Sequence, residues 1–186
     1  MQDEYRDKID ATLKELLWIK KKINKMQNSA QSIKKLPDIN VYKNYAVILA
    51  YGCLENITKN IVADYYKSRS MPLRCQQFAA RLLGDKYALS IEKESFYKFF
   101  KKECSHEWFD EMKRREKADL LDKRYKKYRY SKMWMAVNFI FQERCSFAHG
   151  QASYQGTINE LIENFYPARS WLYEVDHIVS SNKFHG

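Results

Sequence analysis

Ala46-Val47-Ile48-Leu49-Ala50-Tyr51-Gly52-Cys53-Leu54-Glu55-Asn56-Ile57 is a run that is apolar on nearly every side of a helix. A helix apolar all round needs neighbours all round. The run is therefore expected to be the core of a long helix from about Asn40 to Ser70, the most buried element, with the rest of the chain wrapped about it. Before it, Asp3 to Gln27 sets Ile9, Leu13, Leu16, Leu17, Ile23 and Met26 at spacings of three and four, the pattern of an amphipathic helix. Asn28 to Ser32 weakens that pattern. Lys34-Lys35-Leu36-Pro37-Asp38 should break it, since proline lacks a backbone donor and biases the residue before it toward extended geometry.

After the central run, Ser70-Met71-Pro72 should end the helix. A short helix over Gln76 to Leu83 stops at Gly84, and another over Ser90 to Cys104 carries Ile91, Phe96, Phe99 and Phe100 as anchors. These middle elements read as short and polar. A charged helix from about Glu107 to Tyr128 leads into a strongly apolar one from Tyr130 to Ala148, closed by Gly150, a residue suited to the left-handed cap position. The last helix opens with Thr157 and, three residues on, Glu160, a capping box. Ile158, Leu161, Ile162, Phe165, Leu172, Val175 and Val179 keep its period, with Pro167 expected as a kink or break.

Composition agrees with the helical pattern. Only 5 Gly and 3 Pro in 186 residues leave little material for a turn-rich β architecture, so the fold class is all-α and the chain 1–186 reads as one domain. No apolar run approaches the roughly 20 residues that span a bilayer, and the opening Met1-Gln2-Asp3-Glu4-Tyr5 is acidic where a signal peptide is basic. A cytoplasmic protein with no membrane partner is expected. Cys53, Cys75, Cys104 and Cys145 are widely spaced and form no C-x-x-C pair, which reads as reduced thiols. Cys104 and His106 are the only close pair of soft ligands and lack partners at metal-site spacing, so neither a structural metal nor a cofactor is expected. The net charge of +10 exceeds what solubility requires and raises the local concentration of polyanions, which makes nucleic acid the leading partner class.

Chemistry concentrates in Arg144-Cys145-Ser146-Phe147-Ala148-His149-Gly150, at the end of the apolar helix. Arginine is charged at any working pH and grips phosphate through a planar fork, while histidine titrates near neutrality. Arg, four residues, His and then Gly after a hydrophobic helix resembles the motif of HEPN domains, many of which are metal-independent ribonucleases. The Ala46–Ile57 run, with Tyr51 and Glu55 in an apolar helix, resembles the early core helix of the branch called RiboL-PSP-HEPN. The resemblance implies a HEPN-like helical bundle, here with additional short helices between the core helices, that acts on RNA as a homodimer with both motifs lining one cleft. It also implies a toxin or defence effector, with an antitoxin or defence-system protein as a possible partner.

In that mechanism His149 assists attack of the RNA 2′-OH on the adjacent phosphorus, and Arg144 binds the phosphate and stabilises its growing charge, a contribution of about 3 to 4 kcal/mol. The products carry 2′,3′-cyclic phosphate. One straight helix does not bring the two side chains together, because five residues turn through about 140° at about 100° per residue. Two departures stand out. Cys145 occupies a place where the family commonly has a polar residue, often Asn. Gln151 stands where silenced HEPN toxins carry a modified tyrosine, and Tyr154 a little farther on is given no role.

For each candidate a structural reading stands beside the chemical one. Arg144 and His149 could both cap the helix C-terminus. Glu55, a carboxylate within an apolar helix, either orients Arg144 or His149 or pairs with Lys59 at i+4. Tyr51, one turn earlier, reads as core. The run Lys123 to Lys132 interleaves cations with aromatics, so Lys126, Lys127, Tyr128 and Arg129 could bind single-stranded RNA, or form a solvated helix with tyrosines inward. Lys113-Arg114-Arg115 reads as a solvated face. The alternatives to an enzyme are a non-catalytic HEPN-like module that binds RNA or protein, and a helical subunit whose basic face meets an acidic partner.

Overall fold

The computed structural model describes residues 1–29, 33–68, 73–83, 91–104, 106–120, 127–148 and 153–181. Seven α-helices make up the fold among these residues: α1 (Asp3–Gln27), α2 (Leu36–Ser68), α3 (Leu73–Leu83), α4 (Lys93–Phe99), α5 (His106–Ala118), α6 (Tyr130–Ala148) and α7 (Ile158–Ser181). Two short pieces join them, a 3-10 turn at Ile33–Lys35 and a π-helical turn at Phe100–Cys104. No strand occurs among the described residues, and none of their helices is long and apolar enough to cross a membrane. The fold class expected from composition and periodicity is the one observed.

Helix α1 keeps its expected bounds and buries Tyr5, Ile9, Thr12, Leu16, Ile19 and Ile23, one face at alternating spacings of four and three. Leu17 falls off that face and is exposed. Asp3 and Glu4 in the first turn and Lys25 in the last complement the helix dipole. Helix α2 begins at Leu36, not Asn40. Pro37 lies in its first turn, where the missing N–H would have no intrahelical partner, so the proline starts the helix instead of breaking the chain.

Helix α2 packs against α1, α3, α6 and α7, yet it is not enclosed as the sequence suggests. Val41, Tyr45 and Ile48 are 66%, 46% and 46% exposed. The most enclosed helix is α7, with thirteen of its 24 residues buried. It runs through Pro167 without a break: the buried ring donates nothing to the preceding turn, and packing on both sides holds the helix continuous. Its start is as expected, with the Glu160 N–H donating to Thr157 Oγ1 at 3.1 Å.

The middle elements differ from their polar reading. Phe96, Tyr97, Phe99 and Phe100 are buried with Trp108, Trp134 and Trp171. The Phe96 ring lies 4.5 Å from Phe100, 5.5 Å from Trp134 and 5.0 Å from Trp171. The charged helix α5 stops at Ala118, well short of Tyr128. Asp119 takes the left-handed conformation (φ 44°), Leu120 N–H donates to the Arg115 carbonyl (3.4 Å), and Asp119 N–H to that of Glu116 (3.2 Å). That is a Schellman closure with aspartate in the usual place of glycine. A continuous core runs from Tyr5 to Val179. Arg115 reaches from α5 to the buried Glu174 of α7, and Glu111 binds both Arg114 and Arg115 at 2.7 Å.

Candidate functional site

Helix α2 faces α6 through Tyr51, whose ring is buried and tilted against Phe141 at 6.3 Å. The half-buried Arg144 lays its guanidinium over the same ring, with Cζ 5.1 Å from the centroid. A cation on a ring face is held by the quadrupole and keeps its N–H donors free. Among the described residues Arg144 makes no ion pair and no hydrogen bond to a carbonyl. The Tyr51 hydroxyl is pushed up to about 12, first by burial, next by the Glu55 carboxylate, with Arg144 pulling the other way and Cys145 adding to the rise. Tyr51, Glu55, Arg144 and Cys145 therefore form one electrostatic neighbourhood at the α2–α6 junction.

Glu55 pairs with Lys59 at 2.9 Å, one turn on along α2. Of the two roles open to it in the sequence, the local pair is formed, and no ion pair joins it to Arg144 among the described residues. Cys145 is a free thiol and half-buried. His149 and Gly150 lie outside the described residues. The chain on either side is anchored: α6 ends at Ala148, and Tyr154 is buried, its N–H donating to Asn44 Oδ1 of α2 at 2.9 Å. The Tyr154 hydroxyl donates to the Thr157 carbonyl at 3.1 Å, and Lys43 Nζ lies 5.4 Å over its ring. Sequence reading gave Tyr154 no part; its aromatic side chain just before a capping box was the available signal.

Of the basic aromatic run, the described residues Lys127, Tyr128 and Arg129 do not join this neighbourhood. Lys126 lies outside the described residues, as do Lys123, Arg124 and Tyr125. Lys127 is exposed, with its Nζ 5.3 Å over the Tyr128 ring, and Tyr128 packs against the core. Arg129 meets Asp119 at 3.5 Å, while Asp119 also accepts the Ser131 N–H at 2.9 Å and so caps α6. Arg129 lies just before α6, and from Tyr130 to Arg144 that helix rises about 21 Å at about 1.5 Å per residue. Tyr128 is turned toward the core and Arg129 is exposed, both just before α6.

A different basic face was missed. Trp18, 44% exposed, sits on the outside of α1 with Lys14, Lys21, Lys22 and Lys25 within about 60° of it, at about 100° per residue. Lys22 Nζ lies 5.2 Å from the Trp18 ring, and Tyr42 of α2 meets that ring edge-on at 6.1 Å. None of the four lysines forms an ion pair among the described residues. The spacing i−4, i+3, i+4 and i+7 about an aromatic was the legible signal.

The all-α bundle, with Tyr51 and Glu55 on a long helix beside the Arg144 end of a second, agrees with the HEPN-like bundle that the resemblance implies. The sequence model of the RiboL-PSP-HEPN family matches residues 14–168, and the chain belongs to that family. No curated protein and no solved structure matches it.

Proposed function

We propose that the protein is a metal-independent endoribonuclease, folded as one domain over 1–186, that cleaves RNA by internal transesterification. The observation that carries the proposal is Arg144: a half-buried guanidinium held by the Tyr51 ring, with no carboxylate partner among the described residues, five residues before His149. Family membership and the charge of +10 support it. In the reaction His149 takes the 2′-hydroxyl proton, the 2′ oxygen bonds to phosphorus, and the P–O5′ bond breaks. A second His149, from another copy, supplies a proton to the leaving 5′ oxygen. Arg144 donates to the non-bridging oxygens as their charge grows. Glu55, through its charge near Tyr51, tunes the surroundings of Arg144 instead of binding it. RNA approaches over the Trp18 lysine face, where the ring stacks on a base and the lysines meet phosphates. Lys127 adds charge at the far end of α6. A cytoplasmic toxin or defence effector, acting as a homodimer and restrained by an antitoxin or other defence-system protein, is the role that fits such an activity.

The test is whether the protein cuts a single-stranded RNA in EDTA and leaves intact the same strand carrying 2′-deoxyribose at the cleaved position. Cleavage of both strands overturns the proposed nucleophile. The second reading, a binding module without catalysis, is favoured by two observations: Cys145 follows Arg144 where a polar side chain would serve, and Glu55 is committed to Lys59. RNA retained on the protein but never cut would select it.

A further inference from the structure

From Leu16 through Pro37 the chain carries Lys20, Lys21, Lys22, Lys25, Lys34 and Lys35 and not one acidic residue. Trp18 stands within that stretch. Of the four tryptophans, Trp108, Trp134 and Trp171 are buried, and Trp18 is 44% exposed. Lys21, Lys22 and Lys25 are exposed on its side of α1, and none of them forms an ion pair among the described residues. Like charges at this density repel one another, and the indole forgoes the free energy of burial. A ligand that is both anionic and aromatic relieves the two together.

We propose that this face is a single-strand exosite that does not read the sugar, so that single-stranded DNA binds it as RNA does. One base stacks on Trp18, whose ring Tyr42 braces edge-on at 6.1 Å. Lys22 Nζ lies 5.2 Å over the same ring; on its long, exposed stem it swings to a phosphate as the base takes its place. Lys21 and Lys25 meet neighbouring phosphates. Tyr45, 46% exposed and three residues beyond Tyr42, offers its ring to the next base. Stacking requires a base with a free face, which a duplex withholds. Telling RNA from DNA requires a fixed group aimed at the 2′-OH. Ring carbons and mobile ammonium groups supply none. On α1 the only acceptor side chain within about 60° of Trp18 between Lys14 and Lys25 is Glu15, half-buried at the edge, and its charge keeps the strand on the lysine side.

The exosite lies apart from the candidate catalytic groups. Tyr42 and Tyr51 are nine residues apart on α2, which at about 100° per residue sets them on opposite sides of the helix and about 13.5 Å apart along it. Trp18, against Tyr42, and Arg144, over Tyr51, therefore flank a helix about 10 to 12 Å across. A strand anchored on Trp18 has to cross α2 to reach Arg144. DNA on the exosite thus keeps RNA from its approach and, having no 2′ nucleophile, is itself left uncut. That consequence for cleavage rests on the ribonuclease reading; the binding rests on α1 and α2 alone.

Binding in EDTA, read by anisotropy of labelled strands and by intrinsic tryptophan fluorescence, tests the exosite without reference to cleavage. Single-stranded DNA and RNA of one mixed sequence, about 12 nucleotides long, bind the native full chain within about 5-fold of each other, and each displaces the other. Both quench the tryptophan emission, because Trp18 is the exposed indole; duplex DNA of the same length does not. Trp18→Ala weakens both strands by about 5- to 150-fold. Trp18→Phe, which keeps a ring, stays within about 5-fold of native affinity and loses the quench. Both variants keep native helicity, since the side chain lies outside the core. RNA held more than about 5-fold tighter than DNA, a quench that survives Trp18→Phe, or native affinity in Trp18→Ala each overturns the proposal. DNA bound at Trp18 with no cleavage of RNA would sustain the exosite and reject the ribonuclease; RNA cut by a protein that does not bind DNA would do the reverse.

Discussion

Replacing Arg144 separates catalysis from structure, because the two contributions of this side chain differ in size. Its observed contact is a cation lying 5.1 Å from the Tyr51 ring centroid, at a half-buried site. Such contacts contribute about 0.5 to 1 kcal/mol. For a chain of this length 1 kcal/mol shifts Tm by about 2 to 4 °C. A preorganised donor to a growing oxyanion contributes about 3 to 4 kcal/mol, or roughly 100- to 1,000-fold in kcat. Arg144→Ala should thus lower single-turnover cleavage of a labelled RNA by at least about 100-fold while Tm falls by no more than about 4 °C. Tyr51→Phe keeps the ring beneath the guanidinium and should stay within about 3-fold of native activity, whereas Tyr51→Leu removes the support and should cost about 10-fold. Rates come from quenched-flow or gel assays in EDTA, and stability from thermal melts followed by circular dichroism. Arg144→Ala that cuts RNA at near-native rate, or that melts about 10 °C lower, would refute the assignment of Arg144 to the phosphate.

Trp18→Ala should weaken binding of single-stranded RNA by about 1 to 3 kcal/mol in a filter or anisotropy assay, and Lys22→Glu with Lys25→Glu should flatten its salt dependence. Unchanged affinity in both would remove the α1 face from the RNA path. Glu111 is held down to about 2, chiefly by its hydrogen bonds to Arg114, with Arg115 adding to the effect. Because the folded carboxyl is depressed, its contribution is full above the unfolded value near 4.5 and is lost as pH falls from there toward about 2. Glu111→Gln should therefore reduce the acid sensitivity of Tm between those limits, and an identical profile would contradict the pairing. Gly156→Ala forces its Cβ to within 2.6 Å of the Tyr154 ring, so it should cost about 1 to 3 kcal/mol in urea unfolding. A neutral substitution would show that the ring moves freely.

Where the chain announces its elements in local chemistry, sequence reading and structure coincide. The bounds of α1 and α6 follow from uninterrupted periodicity between weak formers, and the start of α7 from Thr157 and Glu160. The end of α5 was hidden because aspartate, not glycine, holds the left-handed position at 119. Pro37 misled for the opposite reason: the residue that breaks a helix interior is at home in a first turn. The Ala46–Ile57 run exposes a deeper limit, since periodicity cannot tell a buried core from a face kept apolar for another molecule. Ile48, inside that run, is 46% exposed, as is Tyr45 just before it. At the site, the sequence marked Arg144 and Glu55 through their charge in apolar helices. Which partner each takes was decided by geometry, with Tyr51 beneath Arg144 and Lys59 beside Glu55. In the cation-aromatic run before α6, Tyr128 packs against the core, as the reading with tyrosines inward has it, and Arg129 meets Asp119 while staying exposed. The exposed tryptophan of α1 stayed unread because a lone Trp among lysines has no pattern until its face is known to be outward.

The central claim is tested most directly by incubating a mixed RNA pool in EDTA with the native protein and with His149→Ala and determining the product ends. The account predicts 2′,3′-cyclic phosphate and 5′-hydroxyl ends with the native protein and none with the variant. Equal cleavage by the two proteins, or no cleavage by either, would contradict it.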